Sequence, residues 1–398
     1  MKTAYKLHGM HRHYDWGGTS FIPQLMHIDN SNGKPFAEYW MGAHPSAPAI
    51  VEIGATKTPL DQLIQNNQIQ YLGAKTAAQF GRLPYLFKIL DVEKMLSIQV
   101  HPSKENAEKG FQKEELAGIP INAPHRNYKD QNHKPEVMVA LSDFWLLHGF
   151  MPAIALQERL ANLTPLKVLL PIFGKEDYAN LYSYFMRLNQ AAADAILKPL
   201  LEIAIQEVAS GKVDKTHPHW WANQYYKGVV PSSNIDKGIF SIYILNIVNV
   251  PKYHGVFQGA GLLHAYLEGQ NIELMANSDN VLRGGLTPKH IDIEELLQHV
   301  QFEPTYPSIL KGDLINANEH LFSCPVPDFG LTKMQLNPSE TYTKKTDSFE
   351  MFLLMQGVVS INGIDLKPGE LAGVLAGEAY QIQQVGLEPA ILFKSFVP

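Results

Sequence analysis

The chain has 398 residues, 45% hydrophobic and 18% charged, an ordinary globular composition that excludes a disordered chain and supports two or three cored domains. Its formal net charge of -6 gives no general attraction to nucleic acid or an anionic membrane, so an anionic partner must be a small molecule held in a local basic pocket. Cys324 is the only cysteine, which excludes an internal disulfide and a thiolate zinc site and suits a small core residue.

The opening MKTAYKLHGMHRHYDWGG has no apolar signal-peptide core, and no run is long enough to span a bilayer. A soluble, cytoplasmic, monomeric protein in a reducing compartment is expected, so the Asn162-Leu163-Thr164 sequon carries no weight.

Up to residue 150, short apolar runs such as LPYLFKIL, MLSIQV and EVMVALSDFWLLHGF, broken by Gly, Pro and Asn, predict strands joined by turns. Within LSIQVHP, strand alternation turns Ser97, Gln99 and His101 to one face, and Pro102 ends the run. In DQNHKPEVMVAL, His133 and Glu136 differ by an odd offset and face opposite sides. Glu136 enters the buried strand and is the better ligand candidate.

From Leu156 to Val208 the pattern is helical. Leu181, Phe185 and Leu188 fall at helical spacing, and NQAAADAILKPLLEIAIQEVASG is rich in helix formers and closes with Gly211. The HPHWW stretch at 217–221 predicts exposed aromatics resting on a neighbouring domain. GIFSIYILNIVNV, 238–250, predicts a strand buried on both faces. GAGLLHAYLEG, 259–269, predicts a short Gly-bounded strand with His264 at its centre.

The last hundred residues alternate strands with the turn signals INGI and KPGE, the rhythm of a jelly-roll or barrel. The expected fold is mainly β with a helical insertion. Residues 1–150 together with 235–310 form a catalytic β domain, 151–234 a helical domain, and 311–398 a C-terminal β domain without histidine ligands. Gln99, His101, Glu136 and His264 supply two imidazoles and two oxygens, which suits zinc and leaves Fe(II), Mn and Ni open.

Six ordered blocks carry a resemblance: YDWGG, AEYWMGAHPSAP, LPYLFKILDVEKMLSIQVHP, NYKDQNHKPE, LLHAYLEG and IELMANSDNVLRGGLTPK. Together they resemble the type I mannose-6-phosphate isomerases, zinc enzymes of the cupin superfamily. The resemblance implies cupin-type jelly-roll or β-sandwich domains and one zinc ion per chain on Gln99, His101, Glu136 and His264. It implies interconversion of mannose 6-phosphate and fructose 6-phosphate through an enediol.

By the same resemblance Arg283 is the catalytic arginine, and Ser97, Lys88 and Lys289 meet the phosphate. His44, Lys134, Glu273 and Asp279 are candidate acids or bases, and Trp16, Glu38 and Tyr266 line the pocket. Two features depart from the family pattern. Leu263 stands where a proline usually precedes the ligand histidine, and Lys252-Tyr253-His254-Gly255 replaces a PGE turn, which raises His254 as a fifth ligand. Two rival readings are a metal-dependent oxygenase or hydrolase on the same scaffold and a catalytically dead sugar-phosphate sensor.

Overall fold

The computed structural model describes residues 3–398 and is mainly β, with three antiparallel sheets and a helical insertion among the described residues. The ten-stranded sheet carries most of the sequence blocks. Its longest member, His264–Ala276, pairs through its first residues with Phe144–Phe150 and Gln99, and through Gly269–Ala276 with Tyr85–Val92 and Glu136–Ala140. The register shifts between Tyr266 and Glu268, and Gly269 sits at φ +123°. A Cβ at Gly269 would lie 2.7 Å from the Asp143 carbonyl oxygen, so only glycine lets the strand bend there and serve two walls. The strand is longer than the sequence suggests, and His264 opens it rather than occupying its centre, because Gly269 acts as a bend and not a boundary.

The other two sheets form a C-terminal sandwich. Its larger, nine-stranded sheet includes Gly330–Leu336, Ala390–Phe396, Glu350–Gln356 and Leu371–Val374. A four-stranded sheet closes over Met334, Phe352, Leu354, Val374, Ile382 and Leu392. The chain start joins the larger sheet. Ala4–His8 pairs with Leu371–Val374 on one side and Ile50–Ile53 on the other, with Thr56–Pro59 at the edge. The strands of the first 150 residues are therefore shared between two sheets, unlike the expected partition. Tyr5, Leu7, Met351 and Phe393 pack with Tyr85, Phe87, Val137 and Leu274 in one core, and Tyr85 donates its hydroxyl to the Phe349 carbonyl at 3.2 Å. Burying both sheets against one another joins the chain's two ends.

The insertion is helical, as its spacing requires. Tyr178–Arg187 buries Leu181 and Phe185, while Leu188 lies just past the helix end. Asp177 and Asn189 cap their helices by accepting the Asn180 and Ala192 amides. No helix is long and apolar enough to cross a membrane.

Two expectations are corrected here. Gly238–Ile244 is a helix with every residue buried, and only Leu245–Val250 continues as a strand. A continuous apolar run carries no period, so a fully buried helix and a fully buried strand look alike in it. The HPHWW stretch forms the start of helix Pro218–Tyr225 and is not exposed. Trp221 is buried beside Trp145 with its ring N–H donated to the Lys215 carbonyl, and buried His219 meets the Tyr243 hydroxyl at 2.7 Å.

Candidate active site

His101, Glu136 and His264 come from three separate strands or strand ends and offer ligand atoms that all lie within 4.8 Å of one another. All three are at most 1% exposed. The two rings are held by their other nitrogens. His101 Nδ1 donates to the Asn280 carbonyl at 2.9 Å, and His264 Nδ1 to the Leu262 carbonyl at 2.9 Å. A carbonyl only accepts, so Nδ1 carries a proton and in the neutral ring Nε2 carries the lone pair; each Nε2 faces one oxygen of Glu136, at 3.5 and 3.4 Å.

His101 Nε2, His264 Nε2 and Glu136 Oε2 have no hydrogen-bond partner. Three such buried acceptors would cost about 1–3 kcal/mol each if left bare, and one cation satisfies them together. Gln99 stands directly opposite His264 in register and Arg283 opposite Gln99, which places the glutamine beside the cluster.

The electrostatics suit a cation ligand set. Burial would raise the Glu136 carboxyl, but Lys134, whose ammonium lies 2.9 Å away, and His101 outweigh it and hold the carboxyl well below its usual range. Burial and then Lys134 push His101 down to about 4, so its imidazole is neutral at neutral pH.

A second polar group lies in the same barrel interior. Lys88 Nζ meets Glu273 Oε1 at 3.0 Å, and the Tyr266 hydroxyl donates to Glu273 Oε2 at 2.9 Å. Burial, reinforced by Glu136 against the pull of Lys88, raises the Glu273 carboxyl. Lys88 keeps its proton more tightly than usual, because Glu273, Glu38 and Glu136 outweigh its burial. Glu38 accepts the Trp40 ring N–H, and Trp40 stands edge-on to His44 at 5.0 Å.

Toward the mouth, His44 Nε2 lies 3.3 Å from Asp279 Oδ2 and its Nδ1 is 2.8 Å from the Ser46 hydroxyl. The His44 contact lowers the Asp279 carboxyl. Half-buried Arg283 has no carboxylate partner among the described residues, and burial lowers its pKa. Lys289 is lowered by burial and by Arg283, and Lys129 by burial with Arg126 and Arg283 adding to it. Arg283 disfavours the charge on both lysines, so an anion between them would relieve the repulsion.

Comparison with known proteins decides the family. Residues 4–153 match the model for the phosphomannose isomerase type I catalytic domain. The mannose-6-phosphate isomerase of Escherichia coli K12 is 35% identical over 382 residues, covering 92% of this chain and 94% of that protein, and the human enzyme is 31% identical with 96% of each covered. The chain belongs to the type I mannose-6-phosphate isomerases. Among solved structures, the Salmonella typhimurium mannose 6-phosphate isomerase bound to fructose 6-phosphate and zinc superposes with a TM-score of 0.88 at 32% identity, covering all of both chains. A zinc-bound mannose 6-phosphate isomerase superposes at 0.86.

Of the residues the family resemblance names, Gln99, His101, Glu136, His264, Lys134, Lys88, Glu273, Tyr266 and Glu38 share this barrel interior, with His44, Asp279 and Arg283 around it. Ser97 is half-buried two residues before Gln99, and Lys289 is exposed beyond Arg283. Trp16 packs against the buried cluster that contains Tyr266 and Leu90. His254 begins the turn into Gly255–Gln258, at the end of that strand away from Gln258, which is the residue opposite Glu136; it is not in the ligand cluster.

Four neighbours escaped sequence reasoning. Asn280 orients His101 through its carbonyl while its side chain accepts the Lys129 and Asp130 amides. His148 is the register partner of His264 on the side away from Gln99, and Gln258 is fully buried opposite Glu136. Lys129 joins the cationic mouth. Two of them had a visible signal, Asn280 inside the IELMANSDNVLRGG block and Lys129 inside NYKDQNHKPE; His148 and Gln258 had none.

Proposed function

We propose that this chain interconverts D-mannose 6-phosphate and D-fructose 6-phosphate by moving a proton between C2 and C1 through an enediol, at a site holding one zinc ion. The observation that carries the reading is the convergence of three partnerless buried lone pairs, from His101, Glu136 and His264, near an arginine, Arg283, that has no carboxylate partner among the described residues. Gln99, His101, Glu136 and His264 would hold the metal. Bound there, zinc would act as a Lewis acid toward a sugar oxygen.

The remaining steps belong to side chains. Arg283, with no counter-ion of its own, stabilises the enediolate charge without giving up a proton. Lys289 and Ser97 receive the phosphate, and Lys129 adds charge at the same mouth. Lys88 is tied to Glu273, so its part is to set the state of that carboxylate rather than to meet the phosphate first. Glu273 and the His44–Asp279 pair are the proton carriers the geometry favours over Lys134, whose ammonium is committed to Glu136. Tyr266, Glu38 and Trp16 form the wall.

The catalytic unit draws on residues 1–150 and 235–310 except the strands Ala4–His8, Ile50–Ile53 and Thr56–Pro59, which belong with 311–398, and 151–234 and 311–398 support it. The lone Cys324 and the moderate negative charge support a cytoplasmic monomer. Incubation with mannose 6-phosphate followed by proton NMR should show fructose 6-phosphate accumulating to equilibrium; a zinc-loaded protein that leaves the sugar unchanged would refute the reading.

A further inference from the structure

The segment that carries Arg283 is fixed from both sides by unusual means. On one side it follows the ligand strand, with Gly284 N–H donated to the Ile98 carbonyl at 2.8 Å and Ile98 N–H to the Gly285 carbonyl at 3.0 Å. On the other side it meets the start of the buried helix Gly238–Ile244, and there a single carboxylate receives it. Asp236 Oδ1 accepts the Leu286 amide at 2.9 Å and the Gly238 amide at 2.7 Å. Asp236 Oδ2 accepts the Thr287 amide at 2.9 Å and the Tyr225 hydroxyl at 3.2 Å.

The backbone at this contact leaves no room for side chains. A Cβ on Gly285 would come 2.4 Å from Gly238 Cα, and one on Gly238 would come 2.4 Å from the Leu286 nitrogen. Gly285 sits at φ +121° and Leu286 at φ +54°, a left-handed conformation that is strained for a leucine and persists only where the surroundings enforce it. Buried Leu286 is held by packing, but the residues on either side of it are not enclosed on every side. The segment borders a cavity of about 500 Å³ lined by Asp236, Tyr225, Tyr226, Gln190, Thr287 and Pro288, so one flank has no solid wall. Hydrogen bonds to Asp236 fix the turn instead, and no lysine or arginine pairs with this carboxylate among the described residues.

We propose that Asp236 is a positioning residue for the isomerisation. Its carboxylate holds the strained turn Gly285–Thr287 and thereby sets the direction of Arg283 on one side and the placement of Lys289 on the other. This rests on the role given to Arg283 under the proposed function. An amide in place of the carboxylate is the informative change, because its NH₂ would face backbone N–H groups and at least two of the four accepted bonds would be lost.

Asp236→Asn should retain zinc and a folded core, lower kcat at least tenfold, and raise KM for the sugar phosphate several-fold. Amide exchange at Leu286 and Thr287 should accelerate while strand His264–Ala276 stays protected. In the cycle with Arg283→Ala, kcat of the double variant should fall no further than in Arg283→Ala alone, within about twofold, because Asp236 acts on turnover through that arginine, while the rise in KM that comes through Lys289 persists. Losses that multiply, or wild-type kcat and KM in Asp236→Asn, would overturn the proposal and leave Asp236 a helix-start cap. Asp236→Glu, which keeps the charge but displaces it, supplies the same cycle and exchange readout if the asparagine variant does not fold. A wild-type protein without isomerase activity would instead refute the proposed function, and the exchange measurement would still decide whether Asp236 holds the turn.

Discussion

At the residue scale the centre of the account is a pair of imidazoles locked by their Nδ1–H bonds to main-chain carbonyls, with both Nε2 lone pairs turned to one carboxylate. Replacing Glu136 by Gln should lower bound zinc, read by metal analysis, from one ion per chain to a small fraction, because the remaining neutral donors compensate no charge. Arg283→Ala should leave zinc content unchanged and lower kcat by about 10²–10³, the usual cost of one donor aimed at a developing oxyanion. Asn280→Ala removes the side chain that ties down the Lys129 and Asp130 amides, so the loop orienting His101 should loosen and zinc affinity should fall about 10–100-fold by competition with a chelator. The four ligand candidates were legible because strand alternation pairs Gln99 with His101 and excludes His133. The position of Asn280 was marked by its block but its role was not, since it acts on His101 through a main-chain carbonyl, and His148 acts as a cross-strand neighbour with no local sequence pattern at all.

At the scale of elements, one bent strand and one charged network carry the site. The bend at Gly269 is a positional requirement, and Gly269→Ala should lower the melting temperature through both its positive φ and its approach to Asp143. The segment that presents Lys129 is braced by Glu295, which accepts the Tyr128 hydroxyl at 2.6 Å and lies 3.4 Å from His299 Nε2. The His299 contact first, with Tyr128 and Lys113, outweighs burial and lowers the Glu295 carboxyl to about 2. A depressed carboxyl stabilises the fold above its unfolded pKa and loses that contribution as pH falls toward the folded value. Denaturant unfolding of Glu295→Gln should therefore show a shallower loss of stability between about pH 4.5 and 2 than the parent. Strands such as Tyr85–Val92 and Glu136–Ala140 were readable as short apolar runs bounded by Gly, Pro and Asn. The helix Gly238–Ile244 was not, because its burial on every side erases the 3.6-residue period on which such a reading depends.

For the whole molecule, the chain start and the C-terminal sandwich form one sheet packed on the catalytic barrel, an arrangement no local feature of AYKLH announces. A chain truncated after residue 310 would leave Ala4–His8 without its Leu371–Val374 partner and strip one face from the core around Tyr85 and Phe87. It should lack a cooperative unfolding transition by circular dichroism; a truncated chain that melts cooperatively and turns over substrate would contradict this coupling. The measurement that tests the central claim most directly is a coupled assay for fructose 6-phosphate formation from mannose 6-phosphate, with bound zinc counted before chelation, after it, and after zinc is restored. One zinc per chain is expected, with activity that falls with the metal and returns with it in proportion. Full activity in metal-free protein, or zinc rebound at one per chain with no turnover, would contradict it.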